Sequence, residues 1–190
     1  MIASHIRQFD GSDLKSHGII QLLLSAILSR GIPVIKGDMD TSESTLIGKH
    51  AYCTQEMVNL ALMGKATSNT HDGDIEFAGS TLKGIHSKCE IGQLSLFEHY
   101  KHITIGSNLK SPQLPIWVVC SESHYTVLFS LPSFLENIFY YDGLGGQTEE
   151  IKLTLINTNT PEESDSPLDH CIRTKWALVN IDWNGTEKLL

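Results

Sequence analysis

The chain has 190 residues, 41% of them hydrophobic and 19% charged, and its formal net charge is −8. Such a length and composition are typical of one globular domain with a substantial core. The acidic balance argues against nucleic-acid binding, and the absence of any run of about 18 apolar residues argues against a membrane span. The N-terminus is not signal-like and the four cysteines form no CxxC pair. These features predict reduced thiols in a cytoplasmic protein, with the nucleus as an alternative.

Helices dominate the predicted first half of the chain. Three segments have the apolar spacing of helices: residues 13–30, 54–63 and 92–100. The first is apolar on most of its faces, which predicts a largely buried helix, and glycines at positions 31 and 64 predict the ends of the first two helices. Two intervening segments are expected to be irregular or loop-like: residues 32–48 and 65–88.

Strands dominate the predicted second half. Five segments are rich in β-branched and aromatic residues: 117–120, 125–129, 137–142, 150–156 and 175–183. The first two form a hairpin across a short Ser-Glu-Ser turn. The acidic segment 157–169 is expected to be a mobile surface connection. Helices followed by antiparallel strands predict a single α+β domain over residues 1–190, in which the sheet packs against the helical part.

His124 lies where the second strand of the hairpin begins, on the strand face that is richer in polar residues. Antiparallel pairing of Ser130 near Ile138 would bring Asp142 within about two residues of the position opposite His124. Asp142 would then orient the imidazole, as a third group does in catalytic triads. Two other interpretations stay open, namely that His124 is a surface histidine and that Asp142 only begins a turn.

Three pairs of residues have zinc-type ligands at close spacing: His50-x-x-Cys53, His86-x-x-Cys89 and His99-x-x-His102. Nine histidines in a chain of this length produce such pairs by chance, so we expect no bound metal, and a zinc-stabilised interaction module is the weaker alternative. The glycine-rich residues 143–148 lack the lysine and the following helix of a phosphate loop. They predict a turn between strands, and no cofactor is expected.

A cysteine nucleophile would need an activating environment. By local chemistry Cys53 is the best placed, because it immediately precedes a predicted helix whose N-terminus would favour a thiolate. Cys120 lies in a predicted strand, and Cys89 and Cys171 lack an obvious activating neighbour. A buried structural thiol is the alternative for each of the four.

Six motifs occur in one order along the chain: LLLSAILSRG, TLIGKHAYCTQEMVNLALMGKATSN, IGQLSLFEHY, LPIWVVCSESHYTVLFS, FYYDGL and CIRTKWALVNIDWNG. Together they resemble the C-terminal part of the MINDY deubiquitinase domain, and most closely its fourth subfamily, from about Leu22 onward. The resemblance implies a papain-like cysteine protease that removes ubiquitin from proteasome-targeting ubiquitin chains. It also implies ubiquitin and polyubiquitin chains as partners, and it assigns the family's catalytic histidine to His124.

The resemblance also implies that part of the family's active site lies outside this sequence. The family's nucleophilic cysteine and the glutamine of its oxyanion hole lie upstream of the equivalent of Leu22, and Cys53 aligns with a segment that is not the family's nucleophile. We therefore expect the downstream half of a catalytic domain, inactive alone, with uncovered apolar surface on the sheet or on residues 14–30. A non-catalytic ubiquitin-binding or regulatory fragment is the alternative.

Overall fold

The computed structural model describes residues 15–131, 136–145 and 147–188. The chain divides into two compact units, one up to Ser68 and one from Asn69 onward. Within the described residues, the first unit contains three helices and a 3₁₀ turn: α1 (Lys15–Arg30), α2 (Ile32–Asp38), the turn Lys49–Ala51 and α3 (Gln55–Met63). The described part of the second unit contains eight strands and three short helices: β1 (Ile75–Phe77), β2 (Ser80–Leu82), β3 (Gly92–Ser95), α4 (Leu96–His99), α5 (Ser107–Lys110), β4 (Ile116–Ser121), β5 (His124–Ser130), β6 (Asn137–Tyr141), β7 (Ile151–Asn157), α6 (Pro167–Arg173) and β8 (Val179–Asp182).

Two helices of the first unit and their glycine stops are as predicted. Gly31, with a φ of 89°, follows α1, and Gly64 adopts the left-handed conformation at the end of α3, where its N–H donates to the Leu60 carbonyl. Helix α2 was not expected within residues 32–48. It begins with Pro33 in its first turn, which the first turn of a helix tolerates, and it contributes Ile35 to a small core with Leu60.

The predicted burial of α1 is wrong. Four large apolar side chains of this helix are more than half exposed: Ile20, Leu22, Leu24 and Leu28. The uncovered apolar surface expected on residues 14–30 is therefore present on the described part of that segment. No single described helix is long and apolar enough to cross a bilayer, and only the joined segments Ile20–Arg30 and Ile32–Asp38, bent by 84°, pass such a test together.

The second unit is built on a six-stranded sheet with the order β3-β4-β5-β6-β7-β8. All neighbouring strands are antiparallel except β3 and β4, which are parallel. Helices α4 and α6 pack against each other and against β3 and β4. The mixed α/β architecture with a mainly antiparallel sheet confirms the predicted α+β class, and the four middle strands β4 to β7 lie close to their predicted ranges.

Residues 92–100 were predicted as a helix, and this is wrong for the first half of the segment. Residues 92–95 are strand β3, which is buried on both faces and includes the polar side chains of Gln93 and Ser95, and only Leu96–His99 is helical. The predicted loop at residues 65–88 also contains the hairpin β1–β2. Its turn residues Ala78 and Gly79 both have positive φ, as tight two-residue hairpins require.

The C-terminal part contains a helix that was not predicted. Helix α6 begins inside the predicted acidic connection of residues 157–169 and ends at Arg173, and the last strand is confined to Val179–Asp182 instead of starting at residue 175. Cys171 and Ile172 of α6 are fully buried in the main core. This helix covers one face of the sheet and thereby forms one wall of the candidate site.

Candidate functional site

The β4–β5 hairpin positions His124 directly opposite Ser121. Only Glu122 and Ser123 connect the two strands, and Glu122 has a φ of 57°, in the left-handed region that glycine ordinarily occupies. A positive φ at the first turn residue matches the twist of the flanking strands and allows so short a connection. The predicted hairpin is therefore confirmed, with His124 as the first residue of β5.

The pairing of β5 with β6 brings Asp142 to His124. Ser130 pairs with Ile138 and Val127 pairs with Tyr141, so Asp142 follows the last paired residue of β6. The His124 Nε2 and Asp142 Oδ2 atoms are 2.9 Å apart. The predicted register and the predicted approach of the two side chains are confirmed, whereas a catalytic role for either residue remains a prediction.

Asp142 also begins a turn, which is the other interpretation of this residue. Its Oδ1 atom accepts hydrogen bonds from the backbone N–H groups of Leu144 and Gly145, at 2.9 and 3.2 Å. The side chain of Gln147 accepts a further hydrogen bond from the Asp142 N–H at 2.7 Å. One carboxylate oxygen thus fixes the turn and the other contacts the imidazole, so the two interpretations apply together.

The electrostatics of this pair fix the donor and the acceptor. Burial of the Asp142 carboxyl alone would raise its pKa. The hydrogen bonds from His124, Leu144 and Gly145 and the nearby imidazole lower the pKa by more than burial raises it, so the net pKa is below its usual range. An ionised carboxylate can only accept a hydrogen bond, so Nε2 is the donor and carries the hydrogen. In the neutral ring Nδ1 then has a free lone pair, and no described residue donates a hydrogen bond to it.

His124 borders a cavity of about 320 Å³. Seven other residues line it: Val119, Ser121, Glu122, Thr126, Tyr140, Pro167 and Leu168. The strand face that carries His124 is the buried one, since Thr126 and Leu128 point into the core, although it was predicted as the more polar face. The His124 side chain itself remains 39% exposed, so the imidazole is accessible to a ligand in the cavity.

Comparison with known proteins identifies the family of this chain. Residues 1–185 match the family model of the deubiquitinating enzyme MINDY-3/4, conserved domain. The chain belongs to the MINDY-3/4 family. No solved structure matches it.

Relatives of two MINDY subfamilies are similar to the chain. It is 44% identical over 208 residues to the Xenopus tropicalis protein named "Probable ubiquitin carboxyl-terminal hydrolase MINDY-4". The aligned region covers 100% of the chain and 28% of that relative. The human MINDY-4 protein is 46% identical over 97% of the chain, and Xenopus tropicalis MINDY-3 is 42% identical over 60% of it. The chain thus spans 28% or less of the length of these relatives, and the predicted resemblance to the fourth subfamily is confirmed.

The thiols of the second unit of this MINDY-3/4 chain are not in environments that favour a thiolate. Cys89, Cys120 and Cys171 are buried, and burial raises the pKa of each, to about 12 for Cys171. Cys53, the candidate favoured by local chemistry, is exposed in the first unit, where it pairs with Ile47 in an isolated β-bridge. The structure therefore places the candidate base beside a cavity that Cys89, Cys120 and Cys171 do not line.

Two of the histidines considered as zinc ligands, His86 and His99, have other contacts. His86 Nε2 lies 2.9 Å from Asp74 Oδ1, and His99 stacks on His170 with 4.0 Å between ring centroids. Within the described part of the MINDY-3/4 chain, no three His, Cys, Asp or Glu side chains come together as a metal site. The predicted glycine-rich turn after residue 142 does join two antiparallel strands, β6 and β7.

The depressed pKa of Asp142 predicts acid sensitivity of the second unit. In the unfolded chain the carboxyl has its ordinary pKa of 3.8, and in the folded chain its pKa is lower. The ionised carboxylate therefore stabilises the folded state above pH 3.8, and this stabilisation is lost as the pH falls through the pKa of the folded state. In Asp142→Asn this contribution is absent at every pH. We expect the free energy of unfolding of the native chain to exceed that of the variant at neutral pH, with the difference shrinking from about pH 4 downward.

Urea unfolding followed by tryptophan fluorescence at several pH values measures this difference. All three tryptophans of the chain lie in the second unit: Trp117, Trp176 and Trp183. The matched control is Asp165→Asn, which makes the same chemical change at an exposed position. A difference between native chain and Asp142→Asn that stays constant with pH would contradict the assigned hydrogen bonds.

Proposed function

We propose that this chain carries the proton-transfer part of a cysteine-type ubiquitin carboxyl-terminal hydrolase, in which His124 is the general base and acid and Asp142 orients it. The observation that carries the proposal is the 2.9 Å contact between His124 Nε2 and Asp142, which leaves Nδ1 available beside a cavity. The names of the MINDY-4 and MINDY-3 relatives support hydrolysis at the ubiquitin C-terminus as the reaction. Ubiquitin and polyubiquitin chains of the proteasome-targeting linkage are the proposed substrates.

The proposed reaction proceeds in two steps. His124 Nδ1 removes the proton from a cysteine thiol, the sulfur attacks the carbonyl carbon of the ubiquitin C-terminal amide bond, and the imidazolium returns the proton to the departing amine. This step leaves a thioester. Water then attacks the thioester, His124 accepts one proton from the water, and the sulfur leaves and recovers that proton as a thiol, while ubiquitin departs with a free carboxyl group that keeps the second proton of the water until it ionises in solvent.

Asp142 is proposed as a positioning residue in this cycle. Its carboxylate accepts the Nε2 hydrogen, which keeps the lone pair on Nδ1, and its charge favours the imidazolium that forms when the thiol is deprotonated. The two turn amides on its other oxygen hold the carboxylate in place. A papain-like arrangement, in which this sheet faces a helix that carries the thiol, is the fold proposed for the complete catalytic domain.

The proposed source of the thiol is a segment outside the described residues. Cys89, Cys120 and Cys171 are buried with raised pKa values, and such thiols react slowly because the thiolate is the nucleophile. The chain matches only 28% of the Xenopus tropicalis MINDY-4 relative, which leaves a large part of that relative to supply further residues.

A ubiquitin probe with a C-terminal electrophile tests the proposal. The 190-residue chain is compared with a chimera in which the preceding part of the Xenopus tropicalis MINDY-4 relative is joined upstream of it. We expect the chimera to be labelled and to cleave ubiquitin chains, and the chain alone to remain unlabelled. A folded chimera without activity would contradict the proposed hydrolase, and labelling of the chain alone that disappears in Cys53→Ser would contradict the proposed source of the thiol.

The same samples distinguish the alternative, a non-catalytic ubiquitin-binding fragment. The exposed His124 cavity and the raised thiol pKa values are compatible with binding in the absence of chemistry. Titration of the chain alone with ubiquitin reports binding directly. Binding by the chain together with an inactive, folded chimera would favour the fragment over the hydrolase.

A further inference from the structure

A second groove lies at the other end of strand β4, around the side chain of Lys175. The Lys175 ammonium lies over two tryptophan rings, with its Nζ atom 5.3 Å from the Trp117 centroid and 4.9 Å from the Trp176 centroid. The two rings meet edge to face at 5.3 Å. Because cation–π contacts restrict a lysine to the ring faces, the positive charge is held at a defined position instead of extending into solvent.

This charge has no partner of opposite sign among the described residues. The Lys175 side chain makes one hydrogen bond within that part of the chain, a long one of 3.4 Å to the Ser111 hydroxyl, and no described carboxylate lies within ion-pair distance. The neighbouring Lys110 is instead paired with Glu98 at 2.9 Å. Burial lowers the pKa of Lys175, and the charges of Lys110 and Lys88 lower it further, as expected for a cation in positive and partly dry surroundings.

The groove has walls that suit an extended peptide. Its volume is about 390 Å³, and seven residues line it: Ser111, Pro112, Gln113, Pro115, Trp117, Lys175 and Trp176. Tryptophan faces and prolines form the surfaces on which proline-rich and other extended segments bind, because such segments lose little conformational entropy. A half-buried ammonium beside them adds a recognition point for a carboxylate.

The groove is separate from the His124 cavity. The two share no lining residue, and Trp117 and Ser121 are four residues apart on β4, which corresponds to about 13 Å along a strand. A segment bound at Lys175 would therefore leave the His124 cavity open. It would tether a partner protein to the chain without occupying the site of hydrolysis.

We propose that this groove docks an extended segment of a partner protein in which an Asp or Glu carboxylate pairs with Lys175 while an adjacent proline or aliphatic side chain packs on Trp176. The charge is the argument for this occupant, since an uncompensated ammonium in an otherwise acidic chain selects an anion. The adjacent apolar surface requires that the anion be joined to apolar groups. A single ammonium matches a carboxylate better than a phosphate, which proteins ordinarily bind with arginine forks or several backbone amides.

The test is a titration of the full chain with two blocked synthetic peptides, Pro-Pro-Glu-Leu-Pro and its glutamine analogue Pro-Pro-Gln-Leu-Pro, followed by tryptophan fluorescence and calorimetry. We expect saturable binding of the glutamate peptide, with the glutamine peptide weaker by about tenfold or more. In Lys175→Gln both peptides should bind equally weakly, and Lys175→Arg should retain the preference for glutamate. The matched control Lys152→Gln removes an exposed lysine of β7 and should leave both affinities unchanged.

Three results of the peptide titrations would overturn the proposal: no saturable binding in the millimolar range, equal affinity for the two peptides, or a glutamate preference that survives in Lys175→Gln. Propionate that binds as tightly as the glutamate peptide would indicate a site for small carboxylates and would also overturn it. Thermal unfolding of each variant verifies folding, and Trp176→Leu provides a second variant that removes the aromatic wall with an apolar residue. The readout is binding alone, so it is independent of the proposed hydrolase.

Discussion

Replacing His124 by alanine in the upstream-extended chimera is expected to lower kcat by about 10³-fold or more, whereas the free energy of unfolding should fall only slightly, through the lost hydrogen bond to Asp142. Without the imidazole, nothing at this position removes the thiol proton or returns a proton to the departing amine. The His124 side chain is 39% exposed and makes its described hydrogen bond to Asp142 alone, so its removal leaves the core intact. Steady-state hydrolysis of a ubiquitin C-terminal amide measures the loss.

The chain offers a matched control for this variant in His86→Ala. His86 also pairs through Nε2 with an aspartate, Asp74, at the same distance of 2.9 Å, but it does not line the His124 cavity. We expect His86→Ala to retain kcat within about twofold, as is usual for exposed positions remote from the reacting groups. Equal losses in both variants, or full activity in His124→Ala, would contradict the proposed role of His124.

The register that joins His124 to Asp142 follows from local sequence. Strands β4 and β5 are rich in β-branched and aromatic residues, and the hairpin turn between them is short. The connection from β5 to β6 is also short, which favours pairing of these two strands. Once Ser130 pairs with Ile138, the alternation of side chains places Asp142 next to the imidazole. Antiparallel neighbours in sequence are the arrangement that a sequence pattern predicts best.

The wall of the His124 cavity that α6 forms was not predicted, because it depends on tertiary packing. Pro167 and Leu168 belong to α6, more than 40 positions after His124, and only tertiary packing brings that helix to β4. A local signal for the helix did exist, because Ser166 followed by Pro167 is a typical start of a helix. The acidic and proline-containing residues before it instead favoured a loop over the whole segment.

Strand β3 was missed because its partner is distant in sequence and its local pattern fits two structures. Gln93 to Leu96 alternate polar and apolar residues as a strand does, but the apolar residues Ile91, Leu94 and Phe97 are three positions apart, which also fits a helix. Only the folded structure shows that the polar side chains of Gln93 and Ser95 are buried, at 1% and 0% exposure. The start of β3, at Gly92, lies in close contact with a part of the chain that is distant in sequence. A side chain at Gly92 would place its Cβ 2.2 Å from the Leu109 carbonyl oxygen, a constraint that only the folded structure reveals.

The position of α6 depends on a buried carboxylate, Asp169. Its side chain is 1% exposed, its Oδ1 atom accepts a hydrogen bond from the Trp183 indole at 3.0 Å, and its Oδ2 atom accepts one from the Ser164 hydroxyl at 2.5 Å. Lys188 Nζ, on a side chain that is 47% exposed, lies 3.1 Å from the same oxygen. These contacts connect the first turn of α6 to the chain before it and to the chain after β8. They therefore hold the helix that supplies Pro167 and Leu168 to the His124 cavity.

Asp169→Ala is accordingly expected to lower the free energy of unfolding of the second unit by about 2–4 kcal/mol. The Trp183 N–H would lose its acceptor in a buried position, and the Ser164 hydroxyl would lose a charged one, whereas Lys188 would turn to solvent at little cost. Asp169→Asn, which keeps an acceptor for Trp183, should lose less. Asp165→Ala removes the same charge from an exposed position four residues earlier and should change stability by less than about 0.5 kcal/mol. Urea unfolding followed by tryptophan fluorescence measures all three variants, and equal stabilities of Asp169→Ala and Asp165→Ala would show that the carboxylate does not hold α6 in place.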